Sequence, residues 1–261
     1  MVSLDYRMAI LAALALLTPA AASADTKAVY QSTDGGDTLI FSIKGPMVRW
    51  EASDFKKDGR YVLYDSTRKT MILVDDKQQR VTEMDPETMR QQRAAMQAQM
   101  APMLEQLKKR MQNMSPEQRQ MIQQRMGSLM QASPAAKATF TTKALGSARV
   151  HGIPCERMSV LRNGKAMHEF CVASRTDAGM PRADYNTMLK MFDTMRNMAT
   201  AVTSSAMVIP ENLKGLPIEM KDGSGKAQTL KSLSTASLPS AAFQVPAYKK
   251  VTFGDLMAPR H

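Results

Sequence analysis

The stretch "YVLYDSTRKTMILVDDKQQRVTEMD" (residues 61–85) decides the fold class of this chain. Short runs rich in Val, Ile, Leu and Tyr alternate in it with polar segments that have turn chemistry, such as Asp65-Ser66-Thr67. Runs of this length and composition are typical of β-strands, and turns this short join antiparallel neighbours. The stretch therefore predicts consecutive antiparallel strands.

The same pattern extends from Ala28 to Met84 and resumes near Lys137. In several of these runs large apolar residues fall on both parities, as where Leu39 and Phe41 flank Ile40. A sheet that is apolar on both faces needs a cover on each, or it curls until one face closes around a cavity. We therefore expect a single α+β domain over residues 25–261.

A methionine-rich helix is predicted after Asp85-Pro86, where the hydrophobic period changes. On a helical wheel its apolar residues lie within about 60° of Met89. This stripe consists of Met89, Met96, Met100, Met103, Leu104, Leu107, Met111 and Met114. Pro102 lies on the polar side, so we expect the helix to bend around whatever the stripe contacts. Ser115-Pro116-Glu117-Gln118 has the form of a second helix start. Together they predict a helical hairpin inserted over residues 86–131.

A further helix is predicted from about Arg182 to Val202. Its main stripe consists of Tyr185, Met188, Leu189, Phe192, Met195 and Ala199. Met191 and Met198 widen the apolar arc to about half of the circumference. A helix this apolar is covered on more than one side.

The first residues have the features of a secretory signal. Arg7 precedes an apolar run over residues 9–17, and Ala22-Ser23-Ala24 has the small-x-small form of a cleavage site. We expect residues 1–24 to be removed and the mature chain to be periplasmic. No later stretch reaches the roughly 20 apolar residues that a spanning helix needs.

The two cysteines of the chain are predicted to pair. Gly164 is placed as the left-handed residue of a three-residue loop, so that Leu161 faces Lys165. Counting back along both arms puts Cys155 opposite Cys171. In an oxidising compartment such a pair forms a disulfide.

Composition argues against several classes of function. The chain has three histidines, of which His261 is terminal, and nothing pairs a nucleophile with a histidine base. It has no Gly-rich phosphate loop and no helical His pair for zinc. We therefore predict that the protein is not an enzyme and has no cofactor and no catalytic or metal-ligating residue.

The formal net charge of +11 favours acidic partners. Nucleic acid is not an expected partner of an exported chain with few aromatic residues to stack on bases. Basic residues beside or opposite the first methionine stripe, such as Arg90 and Lys109, are compatible with peripheral contact to an anionic membrane surface.

The chain has 24 Met against 7 Phe and 1 Trp, so flexible methionine side chains take the place of more rigid apolar ones. Met-x-x-Met spacings, as at Met100/Met103 and Met188/Met191, suit Cu(I) or Ag(I). Any amphipathic helix built from methionine has the same spacing. Flexible thioethers also suit a packed core or a surface that accepts ligands of varied shape, and we favour this interpretation.

At the level of motifs, the chain resembles a bacterial envelope family of unknown function, itself similar to the lipoprotein-carrier-like superfamily of LolA, LolB and RseB. The resemblance covers residues 28–84 and 138–252. It is carried by "GIPCERMSVLRNGKAMHEFCVAS" (residues 152–174) and "LPSAAFQVPAYKK" (residues 238–250). It implies a curved antiparallel half-barrel sheet of about 10–11 strands. Helices cover the concave face, where carriers hold acyl chains. It supplies no catalytic motif.

We therefore expect a non-enzymatic binding module for a lipid or acylated peptide in a Met-lined cavity. The candidate ligand-binding residues are Met96, Met100, Met103, Leu107, Met111, Met188, Phe192 and Met195. Two alternatives stay open: a structural or protein-interaction module with a filled core, and a Cu(I)/Ag(I)-binding envelope protein. The sequence does not predict the oligomeric state.

Overall fold

The computed structural model describes residues 25–112, 139–199, 210 and 213–257. Its strands are β1 (Asp25–Ser32), β2 (Thr38–Lys44), β3 (Met47–Ala52), β4 (Arg60–Asp65), β5 (Thr70–Asp75), β6 (Arg80–Met84), β7 (Phe140–Val150), β8 (Ile153–Arg162), β9 (Lys165–Ala173), β10 (Leu216–Lys221), β11 (Ala227–Ala236) and β12 (Lys249–Lys250). Its helices are α1 (Ser53–Lys57), α2 (Pro86–Gln112), α3 (Arg175–Ala178), α4 (Arg182–Ala199) and α5 (Phe253–Met257), with a 3₁₀ turn at Ser240–Phe243.

These strands form one open sheet in the order β12-β6-β5-β4-β3-β2-β1-β11-β10-β9-β8-β7. One antiparallel meander runs from β1 to β6 and another from β7 to β11, and they join where β1 pairs with β11. The short strand β12 pairs parallel to β6. The predicted α+β class and the mostly antiparallel arrangement are confirmed, but the described sheet has 12 strands where about 10–11 were expected, because the C-terminal segment adds β12 at one edge.

Apolar residues on both faces of the sheet are buried, as the sequence required. Val62 and Tyr64 of β4 belong to the main core, which α4 covers. Their neighbour Leu63 belongs to a second cluster with Ile72, against which Tyr248 of the C-terminal segment packs. Since successive strand residues point to opposite faces, each face has its own cover.

The methionine-rich helix begins where the sequence predicts. The carboxylate of Asp85 accepts hydrogen bonds from the backbone N–H groups of Glu87 and Thr88, each at 2.9 Å, and so caps α2. Pro102 lies inside this helix and is exposed. The α2 helix contacts α4. The second helix of the predicted hairpin, over residues 115–130, lies outside the described residues.

The β8–β9 hairpin turns differently from the prediction. Asn163 and Gly164 have φ angles of 51° and 80°, which makes a two-residue turn with Arg162 opposite Lys165. The predicted three-residue loop, with Leu161 facing Lys165, is therefore wrong.

The cysteines nevertheless pair. A bulge interrupts the β8–β9 ladder after Val160, and Cys171 lies opposite Arg157 instead of opposite Cys155. The disulfide joins Cys155 and Cys171 across this diagonal, with their Cα atoms 5.4 Å apart. A diagonal neighbour across a twisted antiparallel pair still lies within the reach of a disulfide.

The disulfide suits an exported protein, because such bonds persist in oxidising compartments. The predicted signal peptide, residues 1–24, lies outside the described residues. Among the helices that the structure describes, none is long and apolar enough to cross a membrane.

Candidate ligand-binding site

Polar side chains fix α4 on the sheet along its length. Thr26 Oγ1 of β1 donates to Asp184 near the start of the helix at 2.5 Å. The hydroxyls of Tyr64 and Thr194 lie 3.0 Å apart near its end. Between them, Thr187 Oγ1 donates to the carbonyl oxygen of Gly45 at 3.0 Å. Because its side chains are tied to β1, to the β2–β3 turn and to β4, α4 is held in a defined position.

The pKa values of Asp25, at the start of β1, and Asp184, near the start of α4, shift in opposite directions. Burial raises the pKa of Asp184; the hydrogen bond from Thr26 opposes this and the negative charge of Asp25 adds to it. Burial also acts to raise the pKa of Asp25, but Lys44 and the backbone N–H of Leu238, each 2.7 Å away, outweigh it and the net shift is downward. Asp25 is thus held as a carboxylate, and Asp184 has an increased tendency to be protonated.

An aromatic cluster lies beneath α4. Phe192 contacts Phe41 edge to face with ring centroids 6.5 Å apart, and Phe41 stacks with Trp50 at 6.0 Å. Trp50 in turn lies 6.4 Å from Phe55. Such pairs stabilise beyond the area that they bury. The cluster passes from the buried interior at Phe192 to half-buried rings at Trp50.

Trp50 has an unmet hydrogen-bonding requirement. Its indole Nε1 is buried, and among the described residues no atom accepts a hydrogen bond from it. Buried indole N–H groups usually find an acceptor. A ligand oxygen next to Trp50 would satisfy this donor.

Several half-buried apolar side chains of α1, α4, β3 and β6 belong to the margin of the main core. We call this set the apolar rim: Trp50, Phe55, Met84, Leu189, Met195 and Met198. They pack against the core with one side and remain accessible on the other. The methionines among them can adapt to a contact of varied shape.

The predicted site residues fall into different environments. Met188 and Phe192, with 1% and 4% of their surface exposed, are part of the closed core. Met195 belongs to the apolar rim. Met103 is 59% exposed and lies outside the core cluster. For the remaining predicted residues, Met96, Met100, Leu107 and Met111, the side chains lie outside the described part.

Trp50 and Phe55 were not among the predicted site residues. The available signal was that Trp50 is the single tryptophan of the chain and lies on a strand. Periodicity alone assigns such a residue to a sheet face without distinguishing core from rim.

In the described part of the chain, the side chains usual in metal binding do not cluster. Within the described ranges, no group of three or more His, Cys, Asp and Glu side chains could hold a metal ion. Burial lowers the pKa of the half-buried His168, with the nearby charge of Asp222 acting in the opposite direction.

A groove of about 660 Å³ runs along the edge of the sheet at β6 and β12. Its lining includes the charged side chains of Arg80, Glu83, Lys249 and Asp255. It does not include the residues of the apolar rim.

No protein-family model matches the chain, and no curated protein matches it. Among solved structures, PNGF-II in a C2 and in a P21 crystal form is similar at TM-scores of 0.43 and 0.40, with 7% identity in both. The matches cover 88% and 87% of this chain but 31% and 32% of PNGF-II, so the chain spans about a third of that protein. An uncharacterized conserved protein from Thermus thermophilus is similar at a TM-score of 0.39 and 10% identity, over 88% of this chain and 91% of its own. At these scores the likenesses carry no argument about function.

Proposed function

We propose that this protein is a non-enzymatic periplasmic binding module for an amphiphile such as a lipid or an acylated peptide. The acyl chain lies against the apolar rim. A carbonyl or carboxyl oxygen of the ligand accepts the hydrogen bond from Trp50 Nε1. This hypothesis shifts the site from Met188 and Phe192, which are packed in the core, to the rim beside them.

The observation that carries the proposal is the environment of Trp50. A buried donor with no acceptor among the described residues, on a half-buried ring that contacts Phe41 and Phe55, matches a ligand that is apolar with one polar end. Ligand sites are typically apolar surfaces with a few placed polar groups.

The proposed shape and location of the module follow the resemblance to the lipoprotein-carrier-like superfamily. In that arrangement the sheet curls into a half-barrel and α4 lies on its concave face. Support comes from the open antiparallel sheet and from the helix that covers one of its faces. The disulfide supports the proposed periplasmic location.

Displacement of a fluorescent fatty acid tests the site. Trp50→Phe keeps an aromatic ring but removes the N–H donor, so we expect affinity for lauric acid to fall about fivefold to tenfold. The matched control is Tyr248→Phe, which changes an aromatic side chain packed on the opposite face. Equal affinity of both variants and the unaltered chain would remove Trp50 from the site.

The filled-core alternative also has a specific observation in its favour. Met188, Met191 and Phe192 are almost fully buried in the main core, as a filled core requires. Native mass spectrometry of protein purified from a bacterial periplasm separates the candidates. We expect a co-purified lipid mass; a bare protein mass supports the filled core, and an added copper mass supports the Cu(I) alternative.

A further inference from the structure

The two edges of the described sheet differ in length. One edge is β12, which has only 2 residues, Lys249–Lys250. The other is β7, which has 11 residues, Phe140–Val150, and pairs with β8 on one side. Natural sheets usually keep their edge strands short or covered. The β12 edge follows this rule, and β7 does not.

The β7 strand is open to solvent. Its first 8 residues are all exposed, so neither of its faces is covered there. Two large apolar side chains stand on it, Phe140 with 43% and Leu145 with 45% of their surface exposed. An exposed edge with apolar side chains is a template for pairing with another strand.

The backbone of β7 has groups directed away from the sheet. His151 and Gly152 have φ angles of 49° and 81° and form a two-residue turn, with Val150 opposite Ile153. The pair that flanks such a turn exchanges hydrogen bonds, and the pattern then alternates. Ser147 and Arg149 therefore direct their N–H and C=O groups outward.

The charge of β7 selects among partners. Lys143 and Arg149 are the charged residues of this strand, and both are basic. A second copy would bring an identical basic strand and another net charge of +11 to the same edge. Like charges across a strand pair are destabilising and opposite charges stabilising. The chemistry favours an acidic partner over a second copy.

We propose that β7 is a docking edge that binds an extended, acidic segment of another protein as one further antiparallel strand. The outward N–H and C=O groups at Ser147 and Arg149 provide the main-chain hydrogen bonds, and Lys143 and Arg149 select for carboxylates. This interaction is separate from the apolar rim, because β7 belongs to the opposite half of the sheet. Either proposal can fail alone.

A pair of nine-residue peptides tests the charge preference. The probe is Glu-Val-Thr-Val-Glu-Val-Thr-Val-Glu with blocked ends, and its control carries Lys in place of each Glu. We expect the acidic peptide to bind at least about tenfold more tightly at low salt, with the preference shrinking at about 0.5 M salt. In the exposed double variant Lys143→Glu/Arg149→Glu the preference inverts.

A backbone substitution tests the strand addition. Ser147→Pro removes an outward N–H, and Ser147→Ala keeps it while losing the same hydroxyl. Both variants lose the hydrogen bond from Ser147 to Glu156, so they form a matched pair. We expect the acidic peptide to bind Ser147→Pro about three- to tenfold more weakly than Ser147→Ala. In the unaltered chain, bound peptide should slow amide exchange at Ser147 and Arg149.

Three results would overturn the proposal. One is that neither peptide binds the unaltered chain. Another is equal binding of both peptides with no difference between Ser147→Pro and Ser147→Ala. The last is a dimer of the unaltered chain that Ser147→Pro dissociates, because this would assign β7 to a second copy.

Discussion

The two meanders of the sheet are built differently. In the half formed by β1–β6, α4 covers one face and the C-terminal segment covers the other, so that all 6 residues of β5 are buried. In the half formed by β7–β11, the sheet ends in the exposed strand β7. Since the hydrophobic effect depends on apolar area removed from water, the fully buried strand β5 contributes more to stability than the exposed strand β7. The second half has the surface for a partner.

The largest expected contrast is between phenylalanines in the two halves. Phe192→Ala, in the core between α4 and β2, should lower the free energy of unfolding by about 3–5 kcal/mol. Phe140→Ala, on β7, should change it by less than about 0.5 kcal/mol. Urea unfolding of both variants measures the contrast, and similar losses would contradict the division between the halves.

Removal of the disulfide should have the next largest effect on stability, and this effect should be greatest in the β8–β9 hairpin. Replacing Cys155 and Cys171 by Ala removes a cross-link between residues 16 apart in sequence, at a cost of about 3 kcal/mol in the free energy of unfolding. Hydrogen exchange should accelerate in β8 and β9 before it does in β4 and β5. Uniform acceleration through the whole sheet would show that the two halves unfold as one unit.

The hairpin that carries this disulfide shows where sequence reasoning ended. Its strands and the cysteine pairing followed from turn residues and composition, but the register did not. The left-handed conformation of Asn163 shortened the turn, and a bulge after Val160 shifted the ladder. The turn length is encoded locally, because Asn-Gly is the preferred pair of a two-residue hairpin turn, so this part of the register was predictable. The position of the bulge was not predicted.

The carboxyl groups at Asp25 and Asp184 should respond oppositely to the same substitution. Asp25→Asn loses charge-assisted hydrogen bonds with Lys44 and Leu238 and should cost about 1–3 kcal/mol at neutral pH. Asp184→Asn can still accept from Thr26 and removes a buried charge, so stability at neutral pH should stay equal or rise. Thermal unfolding measures both.

The pH dependence of these variants supplies the control. The folded-state pKa of Asp25 is lowered. Its contribution to the free energy of unfolding is therefore present above the ordinary pKa of 3.8 and is lost as the pH falls through the lowered pKa. The folded-state pKa of Asp184 is raised. Its contribution to the free energy of unfolding is therefore present below pH 3.8 and is lost as the pH rises through the raised pKa. Parallel profiles for the two variants would contradict this assignment.

The smallest expected effect is at the far end of α4. Tyr64→Phe removes the hydrogen bond with Thr194 and should cost about 1 kcal/mol. In a double-mutant cycle, the double variant Tyr64→Phe/Thr194→Val should lose less stability than the sum of the losses in the two single variants. Full additivity would mean that this hydrogen bond does not hold α4 to β4.

The candidate site was harder to predict than the fold. Turn residues and hydrophobic period predicted most strands and the start of α2 at Asp85. They placed Met188, Phe192 and Met195 on one helical stripe, and the sheet then buried the first two. They missed Trp50, whose ring contacts Phe41 and Phe55 from other elements.

The most direct test of the ligand site is the emission of Trp50, the single tryptophan of the chain, during titration with lauric acid. If the acyl chain excludes water at the apolar rim and its carboxyl accepts the indole hydrogen bond, emission should change saturably and shift to shorter wavelength. Emission that stays unchanged up to the micelle-forming concentration would contradict the account.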